Sequence, residues 1–223
     1  MKAAQLVLIA MSAGLLFGAT EADKRLDAAA DTLHDIMAAP DKGIPQDLLE
    51  KSECVVVVPG LKKGAFIVGG KYGRGFILCR KAGAGWSAPA AIKVEGGSFG
   101  FQIGGSETDV VLLVMNKGGA KKLLASKFTI GANANAAAGP VGRDSSAATD
   151  AQLHAEILTY SRSRGLFAGV SLEGATLRPD QDANEEIYGK KMSNSDVVLG
   201  DVQSTAGAAK LLAELNKYSS RKG

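Results

Sequence analysis

The 223-residue sequence contains few of the residues that build metal sites and nucleic-acid-binding surfaces. Two histidines and two cysteines leave little for a zinc site with four protein ligands. Aromatic residues make up 5% of the chain and the formal net charge is only +3, which disfavours a base-stacking surface or a strongly basic groove. We therefore expect neither a cofactor nor a nucleic-acid partner.

An uncharged apolar run, residues 3–17, lies at the N-terminus. It follows Lys2 and precedes the small residues Gly18, Ala19 and Thr20. This arrangement is typical of a secretory signal peptide, here residues 1–20. The run is short for a hydrocarbon core of about 30 Å, and the alternatives are an uncleaved anchor or a buried N-terminal helix. We expect a periplasmic or secreted protein.

Export makes Cys54 and Cys79 candidates for a disulfide, because disulfides persist in oxidising compartments. Both cysteines lie in strand-like segments that can pair side by side, at residues 54–58 and 76–80. We therefore predict a disulfide between them. The alternative is two buried free thiols that pack as small apolar groups.

The rest of the chain has the composition of a folded domain, with 46% hydrophobic residues, 22% charged residues and 28 glycines. Apolar residues three and four positions apart predict helices over residues 21–38 and 206–218. Between them, short apolar runs alternate with glycine pairs, which we interpret as strands joined by glycine turns. The sequence thus predicts one α+β domain over residues 21–200, with a curved antiparallel sheet that is barrel-like or sandwich-like. Terminal helices flank the sheet, and residues 201–223 form the C-terminal helix and tail.

Basic residues are concentrated in the first half of the predicted sheet. Between Cys54 and Val94 there are seven lysines and arginines, and no aspartate or glutamate. Such a segment can present a basic edge to lipid phosphates, and backbone N–H groups in glycine turns can add to it. Our candidates for binding anionic lipid headgroups are Lys62, Lys63, Lys71, Arg74, Arg80 and Lys81. The alternative is a solvated basic face that prevents edge-to-edge aggregation.

Two further features bear on membrane contact. Trp86 is a candidate membrane anchor because tryptophan favours the membrane interface, and a core position beside Pro89 is the alternative. The predicted helix over residues 21–38 carries five acidic residues and only two basic ones, which disfavours docking on an anionic surface. We expect Leu26, Leu33 and Ile36 of this helix to pack on the sheet.

Residues 96–100 match the G-x-S-x-G string of serine hydrolases. That string has catalytic meaning at a strand-to-helix turn, followed along the chain by an acid and a histidine. The residues after Ser98 are strand-like instead, and His154 is the sole downstream histidine. We predict that the protein is not an enzyme and retain a hydrolase centred on Ser98 as the weakest alternative.

An ordered series of short motifs runs from Leu26 to Leu199. It consists of Ile44-Pro45, Leu48-Leu49, residues 62–66, Gly69-Gly70, residues 72–75, Arg80, residues 86–89, 100–104, 139–143 and 160–169, Gly174, Asn184 and Tyr188-Gly189. This series resembles the SYLF domain family, also catalogued as the actin-binding domain of a yeast actin-patch protein. The cysteine positions and the N-terminus resemble its bacterial secreted branch.

The resemblance implies a non-enzymatic lipid-binding domain, with phosphoinositide binding in eukaryotic members and actin association in yeast-like members. For an exported protein we expect anionic membrane lipids as partners rather than actin. A structural or protein-binding role in the cell envelope is the alternative.

Overall fold

The structure, a computed structural model, describes residues 19–39, 43–66, 68–81, 85–99, 104–142, 154–163, 166–167 and 172–219. Residues 1–18 of the predicted signal peptide lie outside the described residues. The helices are α1 (Glu21–Met37), α2 (Gln46–Lys51), α3 (Lys117–Leu123), α4 (Gln181–Tyr188), α5 (Asn194–Leu199) and α6 (Ala209–Tyr218), with a 3-10 turn over Ala206–Ala208. No helix among these residues is long and apolar enough to cross a bilayer.

The strands are β1 (Cys54–Phe66), β2 (Val68–Cys79), β3 (Ala90–Phe99), β4 (Gly104–Val114), β5 (Phe128–Thr129), β6 (Ala136–Ala138), β7 (Ile157–Ser163), β8 (Leu166–Phe167) and β9 (Thr176–Pro179). Within the described ranges they form one sheet in the order β5-β9-β3-β2-β1-β4-β7-β6, with β8 paired to β7. The sheet curls into a half-barrel with helices at both ends of the chain, which confirms the predicted α+β domain. The sheet is mixed rather than purely antiparallel, because the short β6 joins β7 in parallel.

The glycine pairs interpreted as turns lie inside long strands, which corrects the sequence prediction. Gly69-Gly70 belongs to β2, Gly96-Gly97 to β3 and Gly104-Gly105 to β4. Gly69-Gly70 pairs with β1 and β3, Gly96-Gly97 pairs with β2, and Gly104-Gly105 pairs with β1, so ladder hydrogen bonds hold the backbone extended through the glycines. The predicted strand at 55–58 extends into the longer β1, with an irregular register between Val58 and Leu61. The predicted strand at 65–68 is divided instead, since Phe66 ends β1 and Val68 begins β2.

Both faces of the sheet are buried around residues 55–58, which explains the four consecutive valines there. Val55 and Val57 pack with Phe76 in one apolar cluster that includes side chains from α1, α2 and α6. Val56 and Ile77 pack in a second cluster with side chains from α3 and α5. Because side chains alternate along a strand, consecutive residues of β1 contribute to different faces. We refer to these as the α1 face and the α3 face.

Helix α1 packs on the sheet as the sequence predicts. Leu26, Leu33 and Ile36 are fully buried in the cluster of the α1 face. Thr20 caps the helix, since its hydroxyl accepts a hydrogen bond from the backbone N–H of Asp23 while the Asp23 carboxylate accepts one from the backbone N–H of Thr20. Helix α6 buries its leucines in the same cluster, so the C-terminal helix is part of the domain core.

Cys54 and Cys79 are directly opposite each other in the β1–β2 ladder and form the predicted disulfide. They mark one end of the sheet, which we call the disulfide end. The opposite end, where β1 stops at Phe66 and β2 begins at Val68, we call the hairpin end.

We predict that the disulfide stabilises the fold by about 3 kcal/mol, because it restricts the unfolded chain between cysteines 25 positions apart. Urea unfolding of the oxidised protein and of a Cys54→Ala/Cys79→Ala variant would measure the difference. Alkylation with and without reduction, followed by mass spectrometry, would verify the bridge in the sample. Equal unfolding free energies for the bridged protein and the variant would contradict the prediction.

Candidate functional site

The six predicted headgroup-binding residues lie in three separate places. Lys63 and Lys71 are directly opposite each other near the hairpin end, with their side chains on the α3 face. Lys62 and Arg74 lie on the α1 face. Arg80 and its neighbour Lys81 lie at the disulfide end, and a strand rise of about 3.3 Å per residue puts Arg80 about 30 Å from Lys71. The structure therefore does not bring all six side chains into one patch.

Arg80 and Trp86 have structural roles. The Arg80 guanidinium donates hydrogen bonds to three backbone carbonyls at the C-terminal end of α2 and to the carbonyl of Ser219, the last at 2.7 Å. Its central carbon lies 3.9 Å from the ring centroid of Trp86. Trp86 is only 7% exposed, and its indole N–H donates to the Ser219 hydroxyl at 3.2 Å. Trp86 thus occupies the core position that was the alternative to a membrane anchor.

Carboxylates offset the charge of two further candidates. Arg74 Nε lies 3.2 Å from Asp180 Oδ2, and the neighbouring Lys93 binds the other oxygen of Asp180 at 3.1 Å. Asp180 is 1% exposed, so these two cations stabilise a buried carboxylate. Lys81 forms a 3.3 Å ion pair with Asp201, whose side chain is fully exposed.

The lysine pair at the hairpin end is electrostatically unusual. Lys63 and Lys71 are Cα partners in the β1–β2 ladder, and Lys71 is only 8% exposed. Burial, together with the charge of Lys71, lowers the pKa of Lys63, and burial lowers the pKa of Lys71. Like charges directly opposite each other on a sheet destabilise it. An anion held between the two ammonium groups would relieve that repulsion.

On the α1 face of the hairpin end, four glycines form a row across four adjacent strands. The ladder register aligns Gly97 of β3, Gly70 of β2, Gly64 of β1 and Gly105 of β4. All four are exposed. At a strand spacing of about 4.8 Å, the row is about 14 Å wide.

The fold itself does not require glycine in this row. A Cβ atom added at Gly64, Gly70 or Gly97 would meet no heavy atom within 4 Å among the residues that the structure describes. None of the four has the positive φ that favours glycine. Glycine inside a strand often marks a place where a ligand or another backbone approaches closely.

Tyr72 and Lys62 lie beside the glycine row. They are Cα partners, and Tyr72 is 47% exposed. Arg74 Nε donates a 2.9 Å hydrogen bond to the Tyr72 hydroxyl, which holds the ring in place. In the part of the chain that the structure describes, no carboxylate forms an ion pair with Lys62 or Lys63. The hairpin end thus combines basic side chains, an exposed aromatic ring and bare backbone, while Glu107 is the Cα partner of Lys62 and Glu95 that of Tyr72.

A groove of about 1170 Å³ separates α1 from the hairpin end of the sheet. Its walls carry both signs of charge, from Arg25, Lys62, Arg162, Asp31, Asp35, Glu107 and Asp109. Some of these charged side chains already have partners within the domain. Arg162 forms an ion pair with Asp35 at 2.7 Å, and Asp109 accepts a 2.9 Å hydrogen bond from the backbone N–H of Gly60. Its mixed charge distinguishes the groove from the basic lysine pair.

Ser98 does not occupy the setting that a hydrolase requires. It lies within β3, opposite Gly69 of β2, and the strand continues to Phe99. A nucleophile elbow needs a strand-to-helix turn at the serine. Among the described residues, no three His, Cys, Asp or Glu side chains are grouped closely enough to hold a metal ion.

The profile of the Ysc84 family, described as "Las17-binding protein actin regulator", matches residues 95–218, which is more than half of the chain. The chain belongs to the Ysc84 family. This result confirms the SYLF resemblance.

Several curated proteins are similar to this Ysc84-family chain. SH3 domain-containing YSC84-like protein 1 of Rattus norvegicus is 35% identical over 184 residues, which cover 82% of this chain and 54% of the relative. LAS seventeen-binding protein 3 of Saccharomyces cerevisiae is 34% identical over 168 residues, 73% of this chain and 36% of the relative. The chain therefore spans about half, or less, of the length of these relatives.

Within the Ysc84 match, several motif residues maintain the fold. The Asn184 side chain accepts a 2.7 Å hydrogen bond from the backbone N–H of Ala91 and donates one of 2.8 Å to Asn194. The Tyr188 hydroxyl donates to the carbonyl of Pro89 at 2.6 Å. Motif positions 100–103, 143, 164–165 and 168–169 lie outside the described residues. The match begins at Glu95, so it does not include the lysines of the hairpin end.

Proposed function

We propose that this Ysc84-family domain is a non-enzymatic binding domain that docks on anionic lipid headgroups through its hairpin end. We further propose that it does so in the cell envelope, after export directed by residues 1–20. The observation that carries the proposal is the Lys63–Lys71 pair, where two partly buried cations face each other with lowered pKa values. A phosphate group bound beside them would be attracted by both charges.

The α1 face of the same hairpin end, opposite the lysine pair, also favours contact with a membrane surface. Tyr72 is exposed beside Lys62, and tyrosine is a residue that favours the membrane interface. The glycine row allows a headgroup layer to approach the backbone without obstruction by side chains. Each basic side chain near an anionic surface contributes about 1 kcal/mol of attraction.

Vesicle co-sedimentation tests this function. We expect binding to anionic vesicles at low salt and little binding to neutral vesicles. A Lys63→Gln/Lys71→Gln variant removes two charges at about 1 kcal/mol each, so binding to anionic vesicles should weaken about 30-fold. A Lys190→Gln/Lys191→Gln variant, which changes two exposed lysines, is the matched control for net charge.

Equal weakening in both lysine variants would show that only net charge matters and would contradict a site at the hairpin end. Equal, negligible binding to neutral and anionic vesicles would remove the lipid proposal altogether.

A second candidate function is docking of a protein partner in the groove beside α1. The family description and the name of the yeast relative indicate protein partners for relatives. The groove favours a polypeptide over an anionic membrane because its walls carry both acidic and basic side chains. A photo-crosslinker at Ser106, which lines the groove, would distinguish the two functions. A single stoichiometric protein adduct, in a protein that does not bind vesicles, would favour this candidate.

A further inference from the structure

A second cavity lies at the disulfide end of the sheet, far from the lysine pair. It is a groove of about 590 Å³ between α3 and α5, with the Cys54–Cys79 disulfide among its lining residues. Small-ligand sites typically enclose about 300–1,000 Å³. The groove is therefore large enough for a small organic molecule.

The lining of this groove is mainly apolar. Ala120 and Leu124 pack against the core cluster of the α3 face and expose part of their surface to the groove. Leu199, at the end of α5, is 72% exposed, the highest value among the large hydrophobic side chains that the structure describes as exposed. A single exposed leucine needs no explanation. Here, however, it extends an apolar groove into solvent.

The groove also has a basic rim. Lys117 and Lys121 are four residues apart on α3, so they lie on the same side of the helix, and both line the groove. Among the described residues no carboxylate pairs with either lysine, whereas the neighbouring Lys122 pairs with Glu156 at 3.0 Å. Glu53 is the one acidic residue in the described lining. The charge of the groove is therefore complementary to an anion.

We propose that this groove binds a single-chain anionic amphiphile of the fatty-acid class. The acyl chain lies along the disulfide between Leu124 and Leu199, and the carboxylate faces Lys117 and Lys121. An apolar floor with cations on one wall matches the two parts of such a molecule. This site is independent of the proposed headgroup site, because the two lie at opposite ends of the sheet.

Isothermal titration calorimetry with decanoate, below its micelle concentration, tests the proposal. We expect saturable 1:1 binding to the full chain. Leu199→Asp should weaken decanoate binding at least tenfold without unfolding the protein, because the leucine is exposed. Val141→Asp, which alters another exposed apolar side chain, is the matched control and should have no effect.

A Lys117→Gln/Lys121→Gln variant tests the contribution of the ligand's carboxylate separately from that of its acyl chain. It should weaken decanoate binding about tenfold and leave the binding of uncharged decanol unchanged. The Lys63→Gln/Lys71→Gln variant should bind decanoate normally, whatever its effect on vesicles, so failure of one site is distinguishable from failure of the other. Absence of saturable binding, or equal effects of Leu199→Asp and Val141→Asp, would overturn the proposal.

Discussion

Replacing Arg80 with alanine is expected to lower the free energy of unfolding by about 4 kcal/mol. The guanidinium donates to carbonyls at the C-terminal ends of α2 and α6, where helices leave such groups without intrahelical partners. Each buried carbonyl that loses its donor costs about 1–3 kcal/mol. The cation–π contact with Trp86 contributes about another 1 kcal/mol. The change would therefore loosen α2, α6 and the Trp86 segment together.

Urea unfolding measured by circular dichroism would check this expectation, with Lys81→Ala as the matched control. Lys81 is the next basic residue, and its ion pair with the fully exposed Asp201 should contribute less than about 1 kcal/mol. Similar stability of the two variants would contradict the structural role of Arg80. The sequence-based assignment of Arg80 to headgroup binding would then regain support.

Much of the fold could be predicted because its signals are local. The apolar spacing of Leu26, Leu33 and Ile36 marks the buried side of α1, and the same periodicity marks α6. The pairing of Cys54 with Cys79 followed from their strand-like surroundings. By contrast, β9 was not anticipated, because four residues carry too little periodicity to distinguish a strand from a loop.

The arrangement of the basic residues could not be predicted, because it depends on register and on distant partners. The irregular register between Val58 and Leu61 shifts the pairing of the following residues, so it helps to set which face Lys62 and Lys63 occupy. Asp180, which binds Arg74, lies more than a hundred positions away in the sequence. Nothing local indicates that Arg80 contacts the carbonyl of Ser219.

The glycine row provides a test in which stability and function change in opposite directions. Gly70→Val adds a Cβ atom that meets no heavy atom of the described residues within 4 Å, in an extended conformation that valine favours. We expect the free energy of unfolding to stay constant or rise by about 0.5–1 kcal/mol, because the unfolded chain loses freedom. Binding to anionic vesicles should nevertheless weaken, since the new side chain keeps headgroups away from the backbone.

Gly75→Ala, in the same strand, is the matched control because its glycine is required inside the fold. A Cβ atom there would overlap the carbonyl oxygen of Val57 and lie 2.9 Å from the Cα of Val58. Since both obstacles are backbone atoms, the substitution should destabilise the protein by more than about 3 kcal/mol. Urea unfolding and vesicle co-sedimentation of both variants would decide the matter. If Gly70→Val proved as destabilising as Gly75→Ala, the fold would require glycine in the row, and the row would no longer support a docking surface on the α1 face of the hairpin end.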